Sequence, residues 1–233
     1  MAFLLTERNT ARATIIYFEI IMTKIISLNI RIWTRDTKRQ SEHWWVERYR
    51  AIHDYIKEQN PDVICLQEVW WPAKYVLRLG KLGYKKTGWG FSHPIYVRKG
   101  AKVSERAVSV FSTMAIVDEV QYFSVHCRWE EKLFQKAMKW VRKKLLYYKF
   151  MPCIACGDFN RTNRDSIHKA LKWLSSVRDG RFPVDTFQNY KHPESCGEID
   201  HFFANGGVRV YSYFVGQNNF SDHQPIVLTF KSN

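Results

Sequence analysis

Short apolar runs alternate with longer stretches of helical periodicity along most of the chain. From Lys24 to Ile30 the residues Ile25, Ile26, Leu28 and Ile30 predict a buried strand. Beyond Ser41, the residues Trp44, Trp45, Tyr49, Ile52, Tyr55 and Ile56 recur at helical spacing until Asn60-Pro61 ends the pattern. A second strand is expected over Asp62 to Gln67, with Glu68 at its carboxyl end, and a shorter helix over Ala73 to Leu82, between Pro72 and Gly83. Hairpin-like strands follow at Tyr84 to Thr87, Ile95 to Arg98, Ala107 to Val117 and Val120 to His126, with Lys99-Gly100 and Asp118-Glu119 as turns.

Trp129 to Tyr148 reads as a basic amphipathic helix whose apolar side is carried by Leu133, Ala137, Trp140, Val141 and Leu145. An apolar strand from Pro152 leads into Gly157-Asp158-Phe159-Asn160, and a helix is expected from about Asp165 to Val177. The last strands lie near Glu198 to Ala204, Val208 to Val215 and Pro225 to Phe230. Strands alternate with helices in both halves and hairpins crowd the centre. This predicts an α+β fold, a four-layer αββα sandwich of two mainly antiparallel sheets with flanking helices.

Ala13 to Met22 is apolar apart from Glu19, but it is too short to span a bilayer and lacks a small-residue cleavage site. Residues 1–21 therefore read as an upstream-start extension or a disordered arm, and residues 22–233 as one domain. At 233 residues and 45% hydrophobic content the chain can bury a sizeable core. No membrane span and a monomer are expected.

Five cysteines, an odd number, argue against a disulfide framework and for the reducing cytoplasm. Cys153 and Cys156 share a C-x-x-C spacing, but in a strand an offset of three sends the side chains to opposite faces, which disfavours a shared metal or redox role. Lysine and arginine number 36 against 22 aspartates and glutamates, a formal charge of +14, so polyanions are candidate partners.

Polar groups gather where predicted strands end: Asn29, Glu68, His126, Asp158 with Asn160, Asp200, and Asp222 with His223. Glu68, with Asn29 and Asp222, supplies the hard oxygen donors that suit Mg²⁺ or Mn²⁺. Asp158 and Asn160, one residue apart, would point to one side of an extended segment while Phe159 packs on the other. That pairing suits one reacting centre, with Asp158 orienting or deprotonating water and Asn160 donating to the developing oxyanion. Asp200 beside His223 repeats the logic of a histidine fixed by a carboxylate, with the histidine as base or as phosphate clamp.

Leu28-Asn29-Ile30, Leu66-Gln67-Glu68-Val69, Val125-His126, Gly157-Asp158-Phe159-Asn160, Ile199-Asp200-His201-Phe202 and Ser221-Asp222-His223 together resemble the endonuclease/exonuclease/phosphatase superfamily over about residues 24–231, most closely its compact bacterial branch. The resemblance implies a magnesium- or manganese-dependent phosphoesterase. It also implies that His126 contacts the scissile phosphate and that Arg106, in Arg-Ala-Val ahead of a strand, reaches a substrate phosphate. Where the family usually has Asn-Thr-His-Leu, this chain has Ser124-Val125-His126-Cys127, followed by Arg128 and Trp129.

The basic charge and the Lys/Arg-rich helix favour a nucleic acid as substrate, with Trp70, Trp71, Trp89 or Trp129 available to stack on bases. A nuclease is therefore the leading expectation and a phosphomonoesterase acting on a small metabolite or nucleotide the second. A non-catalytic nucleic-acid-binding module is the third, disfavoured by the complete set of site residues. The inositol phosphatase segment Pro-x-Trp-x-Asp-Arg is absent after Asn160.

Overall fold

The computed structural model describes residues 22–31, 44–69, 77–87, 92–162, 164–178, 184–188 and 195–233. The chain order begins β1 (Thr23–Asn29), α1 (Trp44–Gln59), β2 (Val63–Gln67), β3 (Tyr84–Lys86), β4 (Ile95–Arg98), β5 (Val103–Val108), β6 (Ser112–Val117) and β7 (Val120–His126). It continues with α2 (Glu131–Tyr147), β8 (Cys153–Asp158), α3 (Arg164–Ala170), β9 (Ser175–Ser176), β10 (Phe187–Gln188), β11 (Cys196–Gly197), β12 (Asp200–Ala204), β13 (Val208–Val215) and β14 (Ile226–Ser232).

Two six-stranded sheets, ordered β13-β14-β1-β2-β4-β3 and β5-β6-β7-β8-β12-β9, carry the fold, with β10 and β11 as a separate short hairpin. Each sheet is antiparallel except for one parallel pair, β1 with β2 and β7 with β8. A parallel pair needs a crossover, which α1 and α2 respectively supply.

Side-chain alternation explains the layering. On β8, Ile154 and Cys156 face the opposite sheet and pack with Ile25, Val63, Tyr122, Phe202 and Phe230. Cys153 and Ala155 face outward against Phe134, Ala137, Met138 and Val141 of α2. On the other sheet, Ile26, Leu28, Ile64 and Leu66 pack outward on Tyr49, Ile52 and Ile56 of α1. The result is the expected αββα sandwich. All five cysteines are free, and Cys153 and Cys156 indeed point to opposite faces.

Helix α2 is held by burial against its own charge. Lys132 with Lys136 and Lys139 with Lys143 are like-charged neighbours at i,i+4, each pair costing about 0.2–0.5 kcal/mol. Phe134, Ala137, Met138, Val141 and Leu145 are at most 5% exposed, and each large member contributes about 1.5–3 kcal/mol. Burial wins by several-fold.

Three expectations about elements need correction. The run Ala107 to Val117 is two strands, because Ser109 Oγ accepts the amides of Phe111 and Ser112 and turns the chain. The helix expected to reach Val177 stops at Ala170, and Ser175 and Ser176 pair instead with Ala204 and Phe203 of β12. Leu79–Leu82 is a 3-10 turn preceded by Arg78 in the left-handed region, while residues 73–76 of the helix expected there lie outside the described residues. The expected extension, residues 1–21, also lies outside them. Among the described residues no helix is long and apolar enough to cross a membrane.

Candidate active site

Strand register builds half of the site. His126 at the end of β7 pairs with Asp158 at the end of β8, and Asp158 pairs in turn with Asp200 at the start of β12. Paired residues on adjacent strands share a face, so the three side chains stand in one row, on the face that Cys156 and Ile154 make apolar deeper in the sandwich. The facing sheet supplies the rest. Asn29 pairs with Gln67 at the ends of β1 and β2, Glu68 follows, and Ser221 to His223 lead into β14.

The backbone bends sharply at three of these positions. Arg31, Glu68 and Asn160 have φ of 38°, 54° and 51°, left-handed conformations that are costly for residues other than glycine. Asn160 is thus not in an extended continuation of β8. Its amide donates to Asp158 Oδ1 at 2.8 Å, closing a turn that brings both side chains to the cleft while Phe159 enters the outer core.

Asp158 Oδ2 is the hub. It accepts from Asn29 Nδ2 at 2.9 Å and from Asn160 Nδ2 at 3.3 Å, and lies 3.7 Å from His126 Nε2 and 3.8 Å from His223 Nε2. Asn29 Nδ2 also donates to Glu68 Oε1 at 3.1 Å, while its Oδ1 accepts the Arg31 amide at 2.9 Å. His223 Nδ1 meets Asp200 Oδ2 at 2.8 Å, which leaves Nε2 facing Asp158. Arg31 Nη1 pairs with Asp222 Oδ2, and the buried Asp222 Oδ1 has no hydrogen-bond partner among the described residues.

Burial and neighbouring charge pull the titrating groups apart. Loss of water pushes the Asp158 carboxyl up to about 7, with Asp200 adding to the rise and His223 opposing it. Burial alone would discharge His223, but Asp200, Asp158 and Asp222 hold its proton and raise it to about 10. His126 moves the other way, lowered by burial although Glu68 resists. A neutral imidazole and an imidazolium therefore flank one carboxyl.

A cleft of about 750 Å³ opens over this row, and Glu68, His126, Asp158, Asn160, Asp222 and His223 all line it. Asn29 and Asp200 sit behind these residues as their hydrogen-bond partners. Asn29, expected as an oxygen ligand, turns its Nδ2 to the carboxylates and ties Glu68 to Asp158, while its Oδ1 accepts the Arg31 amide. One expectation changes. Arg106 lies exposed on the edge strand β5 and does not line the cleft.

Arg31 and Arg128 do line it, together with His93, Phe187 and Trp129. Arg31 follows the same strand-end rule that singled out Asn29, two positions earlier. Phe187 carries no comparable signal: it reaches the site through an isolated bridge to His223, its ring 5.0 Å from the imidazole. Of the tryptophans weighed for stacking, Trp129 stands at the rim, 62% exposed, and Trp70, Trp71 and Trp89 lie outside the described residues.

A family profile described as Endonuclease/Exonuclease/phosphatase family matches residues 39–223. No curated protein matches the sequence. Among solved structures, an endonuclease/exonuclease/phosphatase from Bacteroides vulgatus is 18% identical and superposes with a TM-score of 0.76, covering 91% of this chain and 100% of its own. A humanized D. rerio TDP2 is 19% identical at a TM-score of 0.70, over 91% of this chain and 99% of the other. A Bacteroides thetaiotaomicron mannosyl-6-phosphatase is 16% identical at 0.69, over 89% and 99%. At these identities the likeness establishes the fold.

Proposed function

The chain belongs to the endonuclease/exonuclease/phosphatase family, whose members are metal-dependent phosphoric ester hydrolases, and on that premise we propose that its cleft hydrolyses the phosphodiester bonds of a nucleic acid with Mg²⁺ as the preferred ion. The observation that carries the reading is the convergence on Asp158 Oδ2 of Asn29, Asn160, His126 and His223 from separate strand ends.

The donor set fits a divalent ion. Ligand atoms of Glu68, His126 and Asp158 lie within 4.8 Å of one another, and Asp222 Oδ1 is a buried acceptor awaiting a partner. Glu68 would hold the ion, with Asp158, His126 or Asp222 beside it, and when bound it would neutralise phosphoryl charge as a Lewis acid.

The protein's own groups divide the remaining work. Asp158, with its raised pKa, is the group placed to orient water and accept its proton. His223 keeps its proton at neutral pH through Asp200, so it serves as a cationic donor to the phosphate oxygens rather than as the base. Asn160 spends one Nδ2 hydrogen on the Cys127 carbonyl at 2.9 Å, and the other, only loosely engaged at 3.3 Å, can turn to the oxyanion. Arg31 and Arg128 add positive charge at the mouth.

Steady-state kinetics on labelled single- and double-stranded DNA and RNA, beside a panel of nucleotides and sugar phosphates, tests this. Asp158→Asn and Glu68→Gln should each lower kcat by several orders of magnitude. EDTA should abolish turnover and Mg²⁺ or Mn²⁺ restore it. Full activity in either variant defeats the assigned roles, and turnover of the phosphomonoesters alone defeats the nucleic-acid reading.

A further inference from the structure

The outer surface of α2 carries a stripe of like charge. Lys132, Lys136, Lys139, Lys143 and Tyr147 follow one another at steps of three or four, so they share one face, opposite the residues that pack on the sheet. All four lysines are exposed. The helix starts just beyond Arg128 and Trp129 at the cleft mouth and runs back along the sheet for 17 residues, about 25 Å at 1.5 Å per residue.

The stripe ends at a second cavity of about 640 Å³, between the end of α2, Trp173 and the Asn205-to-Gly207 turn. Gln121, second in β7, and Cys153, first in β8, line it, while His126 and Asp158 end the same strands at the active site. Around it Phe150 is 90% exposed, Tyr147 78%, Trp173 51% and Leu146 46%. No carboxylate is among its described lining residues, and Lys149 Nζ sits 4.7 Å above the Phe150 ring. Tyr147 is held edge-on to Tyr148 at 4.7 Å. Water-facing aromatic rings at the end of a lysine stripe are out of place on a surface with no partner.

We propose that this face is an exosite for single-stranded nucleic acid, the lysine stripe tracking phosphates from the cleft to the cavity, while Tyr147 at the end of the stripe and Phe150 and Trp173 in the cavity stack unpaired bases. Charge complementarity selects a polyanion, and four exposed lysines in a line of about 25 Å offer a track for the phosphates of one strand. Base stacking on exposed rings requires unpaired bases, and so selects a single strand. The stripe starts beside Arg128 and Trp129, which line the cleft, and that continuity favours a substrate strand over an anionic bilayer. The inference rests on the nucleic-acid reading of the cleft, of which it names the substrate form.

The test uses the full chain in EDTA and measures binding of fluorescein-labelled single strands of 4 and 20 nucleotides by anisotropy. The 20-mer should bind at least about tenfold more tightly than the 4-mer, and the triple variant Tyr147→Ala, Phe150→Ala, Trp173→Ala should cut that advantage severalfold, the lysines keeping the remainder. With Mg²⁺ restored, the same variant should hydrolyse bis(p-nitrophenyl) phosphate at the wild-type rate, since none of the three residues lines the cleft.

Equal affinity for both lengths, or an unchanged triple variant, overturns the exosite while hydrolysis of the small ester leaves the cleft assignment standing. Length-dependent binding without hydrolysis of any ester does the reverse. Co-sedimentation with phosphatidylserine vesicles that depends on the same rings, with no length effect on the oligonucleotides, assigns the patch to a membrane and overturns the proposal.

Discussion

Arg31, Glu68 and Asn160 each hold a left-handed backbone that costs of order 1 kcal/mol or more, and all three line the cleft. The cost is borne because each follows a strand whose core positions are fully buried, so the side chain is turned across the sandwich rim instead of continuing outward. His93 stores a cost of another kind. Burial lowers its pKa to about 4, while Ser92 Oγ at 2.9 Å and the Ser109 carbonyl at 3.4 Å hold the neutral ring. In the unfolded chain the ring takes a proton near 6.5, so the unfolded state binds more protons between pH 6.5 and 4, and stability falls as pH drops through that window. The loss attributable to His93 is about 3 kcal/mol. His201, also lowered by burial, acts in the same direction. Burial raises the Asp158 carboxyl, which acts in the opposite sense over the same range, so the His93 contribution is read as a difference: between pH 7 and 4 the urea midpoint of His93→Gln should gain on that of the wild type. An unchanged pH profile in that variant excludes His93 as the source.

Both sheets are built around the same strand-helix-strand unit, β1-α1-β2 and β7-α2-β8, and in each the carboxyl ends of the parallel strands carry chemistry. Asn29 and Glu68 come from one unit, His126 and Asp158 from the other. The second unit closes through Gly157, whose φ is 136° and whose added Cβ would stand 2.0 Å from the Val125 carbonyl oxygen. Backbone cannot yield there without separating the strand ends that align His126 with Asp158. Gly157→Ala should therefore cost about 3 kcal/mol or more, or prevent folding, as read by thermal melting. A melting temperature within about 2 °C of wild type would mean the strands are free to part. At this scale the long periodic elements, α1, α2 and the apolar strands, were legible because a buried face imposes a period of 3.6 or 2. The Ser109 turn was not, since Val108, Val110 and Phe111 keep the apolar run going through it, and neither was the end of α3, which edge pairing with β12 decides.

The +14 charge of the chain includes a row of lysines on α2 that leads from a cleft holding four carboxylates with Asp200. If the stripe binds a single strand through Lys132, Lys136, Lys139 and Lys143, log K for a 20-mer should fall with log salt at a slope of about −3, taking about 0.7 per phosphate neutralised. Replacing Lys136, Lys139 and Lys143 by Gln should flatten that slope by about 2. A slope near zero in the wild type removes the polyanion as partner.

The order of polar residues at strand ends, and with it the layered fold and nearly all of the cleft's chemistry, was present in the sequence, because the burial that defines a strand also marks where it stops being buried. Which nitrogen or oxygen Asn29 turns to its neighbours, that Arg31 rather than Arg106 lines the cleft, and that Phe187 lies against His223 were decided only by tertiary structure. Each depends on a contact between segments far apart in the chain, and no local periodicity records such a contact.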